Sequence, residues 1–181
     1  MPGSLDIAAL VRSHVCDGDE ASYRRAVELL ESGQEAWNRS EFLPGHFTAS
    51  GFVVSPDGES LLLIRHGKLD RWLQPGGHFE AIDASVEDAA RREVLEETGV
   101  GSLTRVGSTL VRIDAHEIPA RGEEPMHTHF DLGVGFQASS TAIGPLDEVL
   151  DARWVPFDDL ESYDVDEALL GGARALQVML D

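Results

Sequence analysis

The sequence predicts an α/β domain, because strand patterns and helix patterns interleave along the chain. Apolar runs at residues 47–54 and 61–64 predict two strands, and the Ser-Pro-Asp-Gly turn at 55–58 joins them into a hairpin. A helix is predicted from Ser85 to about Thr98, followed by Gly99, a residue typical of the position after a helix end. At 181 residues, the chain has the length of one ordinary domain with a sizeable core.

The remaining elements follow from the same patterns. We predict helices at about 5–14, 19–32 and 165–180, strands at about 103–115, 126–138 and 152–155, and a loop at 74–77. The composition changes near Leu43-Pro44-Gly45, so residues 1–45 are predicted to be an N-terminal helical extension packed on a core domain of residues 46–181. Residues 126–138 alternate: Phe130, Leu132, Val134 and Phe136 take one face, and His127, His129, Asp131 and Gly133 the other.

The composition favours a cytoplasmic protein. The hydrophobic fraction is 42%, and no apolar run approaches the length that spans a membrane. Residues 1–10 lack the basic region and apolar block of a secretory signal. Cys16 is the only cysteine, which excludes an internal disulfide framework and a zinc site of several cysteines.

The charge limits the partners. The formal net charge is −19, from 14 basic and 33 acidic residues. A surface this acidic disfavours nucleic acid, which needs a basic footprint, and makes an anionic membrane an improbable partner. A phosphate-bearing substrate would need metal ions and a few local cations to offset the repulsion.

Residues 92–100, Arg-Glu-Val-Leu-Glu-Glu-Thr-Gly-Val, break a rule of helix electrostatics. A helix C-terminus carries partial negative charge and favours cations, yet Glu93, Glu96 and Glu97 occupy the last turns of this helix. Carboxylates three and four residues apart project from one side and repel each other. A hard divalent cation, which takes oxygen ligands, would stabilise such a cluster. The loop glycines Gly76 and Gly77 permit close backbone approach, and their carbonyls are further candidate ligands.

The full pattern resembles the Nudix box. Gly77 is followed by five residues, then Asp83, eight residues, and the segment 92–100. The Nudix pattern has Glu at the position of Asp83 and Gly at the position of Ile82. It also has seven residues between that Glu and the Arg, where this chain has eight. The start of the helix therefore departs from the Nudix pattern. The second half matches at every defined position. The wider resemblance runs from about residue 46 to residue 160, and it implies a Nudix-like α/β/α sandwich around a mixed sheet.

The resemblance implies the roles of the site residues. Glu93, Glu96 and Glu97 are expected to ligate Mg²⁺, with Mn²⁺ possible, together with the carbonyl of Gly77. Glu93 or a later acid is expected to position the attacking water, and Arg92 is a catalytic candidate. Many family members use another acid shortly before a Trp on the last core strand. Glu148, six residues before Trp154, matches this position, and a solvated loop acid is an equally good interpretation.

Weaker signals mark a substrate-binding surface. His129 and Asp131 share a strand face with His127, and such a set can ligate a transition metal. The favoured interpretation is a polar sheet face that lines the substrate cleft or faces solvent. His78 follows the loop glycines and Arg65 ends a predicted strand, so both are candidates for contacting phosphates.

The resulting hypothesis is a metal-dependent pyrophosphohydrolase that cleaves a nucleoside diphosphate linked to another moiety. The alternative is a Nudix-fold module without catalytic activity that binds nucleotides or has a regulatory role. An isoprenoid diphosphate isomerase is disfavoured because Cys16 lies in the leading segment, and a capped-RNA hydrolase is disfavoured by the charge. A homodimer is possible, since residues 1–45 could cover a partner's core.

Overall fold

A computed structural model of the chain describes residues 4–67, 69–146 and 149–180. Within these residues the helices are α1 (Ser4–Ser13), α2 (Glu20–Glu31), α3 (Val86–Thr98) and α4 (Glu167–Leu180), and a 3₁₀ helix covers Phe157–Tyr163. The strands are β1 (Gly45–Val54), β2 (Ser60–His66), β3 (Arg71–Leu73), β4 (Gly76–His78), β5 (Leu103–Arg105), β6 (Arg112–Ile118), β7 (His127–Ala138) and β8 (Asp151–Pro156). The predicted α/β class is confirmed.

The strands form a mixed sheet around one long parallel pair. β1 and β7 run parallel over their whole shared length, from Gly45 beside Thr128 to Val54 beside Gln137. The other edge of β7 pairs antiparallel with β6 and then β5. The other edge of β1 pairs with β4 and, at the hairpin, with β2, which also pairs with β3 and β8. The predicted hairpin is therefore present, but its strands stay paired only near the turn.

Helices cover both faces of the sheet. On one face, Phe47 of β1 and Phe130 of β7 belong to a core cluster that includes apolar residues of α1, α2 and α3. On the other face, Phe52 and Leu63 pack with Leu169 and Leu176, of which the last two belong to α4. The alternation predicted for β7 holds, since Phe130, Leu132, Val134 and Phe136 all lie in the first cluster. This arrangement is the predicted α/β/α sandwich.

Helix α3 begins and ends where the sequence predicts. Ser85 is its N-cap residue, and the Ser85 Oγ accepts a hydrogen bond from the Asp88 amide at 3.0 Å. Gly99 follows the helix with φ 72°, the left-handed conformation that glycine adopts without strain. Gly51 of β1 lets α3 approach closely, because a Cβ there would collide with Val94 Cγ2. The close approach fixes the helix end against β1 and β4.

Two predictions of local structure were wrong. The single strand expected at 103–115 is two strands, β5 and β6, which pair with opposite ends of β7. Gly107 between them has φ 66°, so the chain turns there instead of continuing as a strand. The loop expected at 74–77 contains the start of β4, whose glycines pair with Ala49 and Ser50 of β1.

The leading helices pack on the sheet. Ile7 and Val11 of α1 and Ala26 and Leu29 of α2 are buried in the same cluster as Phe130. Arg25 of α2 donates hydrogen bonds to the carbonyl oxygen of Ala115 and to Thr128 Oγ1. The division of the chain into an extension of residues 1–45 and a domain of 46–181 remains a prediction.

Candidate active site and the polar sheet face

The acidic end of α3 carries three carboxylates of graded exposure. The Glu93 and Glu96 side chains are 13% and 45% exposed, and Glu97 is buried. Arg92 Nη1 donates to Glu93 Oε1 at 2.9 Å and to Glu96 Oε2 at 2.8 Å. The structure therefore brings together four of the predicted site residues, with one guanidinium bridging two of the acids.

Strand β4 contains the two loop glycines and places them against these carboxylates. The Gly76 amide donates to Glu97 Oε2 at 2.9 Å. A Cβ on Gly77 would lie 2.7 Å from Glu93 Oε1, closer than real Cβ contacts allow. Gly77 thus lies directly against the Glu93 carboxylate. Arg92 Nη2 also donates to the carbonyl oxygen of His78 at 2.8 Å, which connects the helix to β4.

Asp83, the altered position of the motif, is a structural partner of Arg92. Its two carboxylate oxygens accept from Arg92 Nε and Nη2, each at 3.0 Å, in a bidentate pair. Asp83 Oδ2 also accepts from the Glu80 amide at 2.7 Å. Asp83 is 2% exposed and the Arg92 side chain 11% exposed, so the pair is buried. Sequence reasoning left the role of Asp83 open, and the structure shows that it anchors Arg92.

Burial and Arg92 act against each other in this cluster. Burial raises the pKa of Glu93 above its usual range, although the neighbouring Arg92 lowers it. For Arg92 burial lowers the pKa, and hydrogen bonds to Asp83 and Glu93 outweigh it, so its pKa is raised. Arg92 therefore stays cationic beside the acids, while Glu93 binds a proton more readily than an exposed glutamate.

The donor set at the helix end fits a hard divalent cation. Three carboxylates on one side of α3 and the backbone of Gly77 supply oxygen ligands, the type that Mg²⁺ and Mn²⁺ prefer. One arginine offsets only part of the negative charge. A cation bound there would relieve the remaining repulsion between Glu93, Glu96 and Glu97.

A polar face lies beside the apolar core, at the start of the parallel strand pair. Thr48 Oγ1 donates to Asp131 Oδ1 at 2.9 Å, and Ser50 Oγ donates to Asp131 Oδ2 at 2.5 Å. Gln74 Nε2 donates to the same Oδ2 at 3.3 Å. Burial raises the pKa of Asp131, and the two hydroxyl donors oppose this shift. Asp131 is thus a buried acceptor at the centre of this face.

Five of the seven histidines of the chain gather at the same end of the sheet. The ring centroids of His46, His127 and His129 lie 4.8–5.1 Å apart. His78 lies 5.0 Å and His116 5.7 Å from His129. Burial, together with the neighbouring imidazoles, lowers the pKa of His129 to about 2, so this ring is neutral at ordinary pH.

His46 was missed by sequence reasoning. It lies in a strand that reads as apolar, about eighty residues before His127, and the parallel register alone sets it beside His129. Burial lowers the pKa of His46 as well. No local signal in the sequence could have joined these residues, because the pairing of distant strands is not encoded by spacing.

Two further predicted residues have no contact with these groups among the described interactions. Arg65 is the last residue but one of β2, and its guanidinium pairs with Asp70 at 2.7 Å. Glu148 and the neighbouring Asp147 lie outside the described residues. The roles assigned to Arg92, Glu93, Glu96, Glu97, Gly77, Glu148, Arg65, His78, His129 and Asp131 remain predictions.

Comparison with known proteins decides the family. The NUDIX domain family model matches residues 44–174, which is most of the chain. The chain belongs to the Nudix family. This confirms the expected Nudix-type hydrolase that acts on phosphoanhydride bonds. Nudix hydrolases generally use a divalent metal, and that part of the cofactor prediction is confirmed at the level of the family.

Solved Nudix structures share the fold. A hydrolase of the NUDIX family from Clostridium perfringens is 24% identical, with a TM-score of 0.61 over 80% of this chain and 99% of its own. RenU, a Nudix hydrolase from M. smegmatis, is 19% identical, with a TM-score of 0.54 over 75% of this chain and 85% of its own. The NUDIX domain of Shewanella oneidensis NrtR, solved with ADP ribose, is 19% identical. Its TM-score is 0.54, over 86% of this chain and 98% of its own.

These identities establish the fold and leave the substrate open. No curated protein matched the sequence. In the part of the chain that the structure describes, no helix has the length and apolar character needed to cross a bilayer. The expected cytoplasmic location, homodimer and lack of nucleic-acid binding remain predictions.

Proposed function

We propose that this Nudix protein is a Mg²⁺-dependent pyrophosphohydrolase that cleaves a nucleoside diphosphate linked to another moiety. The observation that carries the proposal is the acidic end of α3, where Glu97 and Glu93 lie against the two glycines of β4 and Glu96 is tied to Glu93 through an arginine. The net charge of −19 supports metal dependence, because a diphosphate would otherwise be repelled.

The residues divide into metal ligands and positioning groups. Glu93, Glu96, Glu97 and the Gly77 carbonyl hold Mg²⁺, or Mn²⁺ in its place. When bound, the ion polarises the phosphoryl oxygen, neutralises developing charge and lowers the pKa of bound water. Arg92 holds Glu93 and Glu96 in position from a guanidinium that is itself fixed by buried Asp83.

The reaction is a hydrolysis at one phosphorus of the diphosphate. The water oxygen forms a bond to phosphorus, the bridging P–O bond breaks, and two phosphorylated products leave. Glu93 positions the attacking water and accepts its proton. Glu148 is the second candidate for this proton transfer, as the acid that precedes the Trp154 strand.

The substrate is proposed to extend from the acidic helix end over the polar sheet face. His78 follows Gly77 directly on β4, and its ring lies 5.0 Å from that of His129. His129 and Asp131 continue this face along β7, and Arg65 is proposed as a phosphate contact at the end of β2. Neutral imidazoles and a buried acceptor suit hydrogen bonding to a nucleotide's sugar or base.

The decisive variant is Glu97→Gln. Glutamine keeps an oxygen that accepts from the Gly76 amide, so the fold should persist while a charged ligand is lost. Loss of several kcal/mol of transition-state stabilisation corresponds to a fall in kcat of about a hundred- to a thousand-fold. The measurement is phosphate release and nucleotide product from a panel of nucleoside diphosphate derivatives with Mg²⁺ or Mn²⁺.

Glu87→Gln is the matched control, since Glu87 lies in the first turn of the same helix and pairs with Arg91. This control should retain full activity. Full activity of Glu97→Gln would remove Glu97 from the ligand set. Ligand binding in calorimetry without turnover by the wild-type protein would support the alternative of a non-catalytic nucleotide-binding module.

A further inference from the structure

The strongest unexplained feature of the molecule is the cluster of His46, His127 and His129. One ring nitrogen from each of the three histidines lies within 4.8 Å of the corresponding nitrogens of the other two. His46 and His127 are buried, and His129 is half-buried. The cluster draws on β1 and β7, and the acidic end of α3 contributes no residue to it.

Hydrogen bonds orient two of these rings toward a common point. His46 Nδ1 donates to the carbonyl oxygen of Glu41 at 2.9 Å, and His127 Nδ1 donates to that of Pro125 at 2.8 Å. A ring that donates from Nδ1 in its neutral form presents a lone pair at Nε2. Metal-ligating histidines commonly donate their other nitrogen to a backbone carbonyl in this way.

Among the described residues, one inward nitrogen has no hydrogen-bond partner, and the other two hydrogen-bond to each other. His46 Nε2 is buried, and no described residue forms a hydrogen bond with it. His127 Nε2 and His129 Nε2 lie 3.1 Å apart. Two imidazole nitrogens bound to one tetrahedral Zn²⁺ at about 2.0–2.1 Å lie about 3.3 Å apart. The existing separation is therefore close to that of two ligands of one ion.

The protonation states also suit a cation. Burial lowers the pKa of both His129 and His46, and the neutral imidazole is the ligating form of histidine. The ring of His78 lies about 5 Å from those of both residues, so a fourth imidazole borders the cluster. All of these donors are nitrogens, a set that selects Zn²⁺, Co²⁺ or Ni²⁺ over Mg²⁺.

We propose that His46, His127 and His129 bind one transition-metal ion of the Zn²⁺ class through their Nε2 atoms, separately from the divalent-metal site at the end of α3. This revises the favoured sequence interpretation, in which His127 and His129 only line a polar face. The third ligand, His46, is what that interpretation lacked.

The test uses the full chain, stripped of metal by a chelator and kept in excess Mg²⁺ to saturate the carboxylates. Calorimetric titration with Zn²⁺ should show saturable binding of a single ion, and Co²⁺ should give the intense visible absorption of tetrahedral coordination. His129→Gln should weaken Zn²⁺ binding by at least about 100-fold, because even the loss of partners behind the ligands costs 10–100-fold.

Three control variants separate this site from the others. Glu97→Gln should keep Zn²⁺ binding, which distinguishes the site from the acidic helix end. Cys16→Ser should keep it too, because His14, Cys16 and Asp19 form the other cluster of candidate ligands in the described residues. His66→Gln, a histidine outside the cluster, is the matched substitution and should bind like the wild type.

Several results would overturn the proposal. They are absence of saturable Zn²⁺ binding in excess Mg²⁺, wild-type affinity in a folded His129→Gln or His127→Gln variant, and loss of binding in Glu97→Gln or Cys16→Ser. Circular dichroism verifies folding of each variant.

Should the variants unfold, the ¹⁵N chemical shifts of the wild-type imidazoles are measured with and without Zn²⁺. Shifts typical of metal-bound Nε2 on His46, His127 and His129 support the site, and unchanged shifts reject it.

Discussion

At the scale of single residues, Arg92 connects several parts of the candidate active site. It forms a bidentate pair with Asp83 and also contacts Glu93, Glu96 and the His78 carbonyl. Removing one member of a buried ion pair leaves the other charge without compensation, which costs more than the pair contributes. Asp83, at the position where the Nudix pattern has Glu, thus forms a direct pair with Arg92.

Arg92→Gln should lower the free energy of unfolding by about 3–5 kcal/mol, because Asp83 is left buried without its partner. Urea unfolding in metal-free buffer measures this loss. Arg174→Gln is the matched control: the Arg174 side chain is 64% exposed, and its loss should change stability by less than about 0.5 kcal/mol. A loss below about 1 kcal/mol for Arg92→Gln would show that Asp83 finds other compensation.

Site residues that are close together in the sequence could be predicted, and those brought together from distant strands could not. Arg92, Glu93, Glu96 and Glu97 occupy one helix end, so their spacing alone placed them on one side. His46, Thr48 and Ser50 could not be assigned, because they reach Asp131 and His129 only through the register of two distant strands. Local periodicity reports which face a side chain takes, but not which strand lies beside it.

At the scale of secondary-structure elements, the candidate active site is a contact between α3 and β4. Gly77 has no Cβ, and Glu93 occupies the space that a Cβ would take. The short strand β4 thereby holds its backbone against the carboxylate that is proposed to bind metal. The absence of a side chain is what the geometry requires at this position.

Gly77→Ala should raise the metal concentration needed for activity and lower kcat by at least about tenfold, because the new methyl group displaces the Glu93 carboxylate. The measurement is activity as a function of Mg²⁺ concentration, with thermal unfolding as the check on folding. Gly101→Ala is the control, since a Cβ there meets only Leu95 Cδ1, at 3.1 Å. Unchanged metal dependence of Gly77→Ala would contradict the placement of Gly77 beside the ion.

The elements that carried their own signals were predicted well. Helix α3 has a capping serine at its start and a glycine after its end, and both occupy the expected conformations. Strand β7 places Phe130, Leu132, Val134 and Phe136 in one core cluster, as their alternation predicts. The break between β5 and β6 and the short strand β4 were missed, because tertiary pairing with β7 and β1 defines them and their few residues carry no periodicity.

At the scale of the whole molecule, Asp19 fastens the leading helices to the sheet. It precedes α2, and its carboxylate accepts hydrogen bonds from His14 Nε2 at 2.6 Å and from the Ile113 amide at 3.0 Å. Burial alone would raise the pKa of Asp19, but the hydrogen bonds from His14 and Ile113 lower it below its usual value. The ionised form is therefore the one that holds α1 and α2 on β6.

The pH dependence follows from this shift. A carboxylate whose pKa is lower in the folded state stabilises the fold above its unfolded pKa of about 3.9, and the effect is lost as the pH falls through the folded value. Asp19→Asn should cost about 1–3 kcal/mol at neutral pH, and the difference from wild type should vanish in strong acid. Denaturant unfolding across this pH range measures it.

Asp159→Asn is the control, because this carboxylate is exposed in the 3₁₀ helix. This variant should show the same dependence of the free energy of unfolding on pH as the wild type. A constant difference between wild type and Asp19→Asn at every pH would show that shape, not charge, connects the helices to the sheet.

The parallel pairing of β1 with β7 also has a kinetic consequence. Its partners are about eighty residues apart in the chain, so they meet only after a large loop has closed. Contacts of such sequence separation slow folding, because the entropy of closing the loop is lost before any contact forms. The histidine cluster straddles this pair and so cannot assemble in any fragment that lacks either strand. During synthesis, it comes into existence only after residue 129 has left the ribosome.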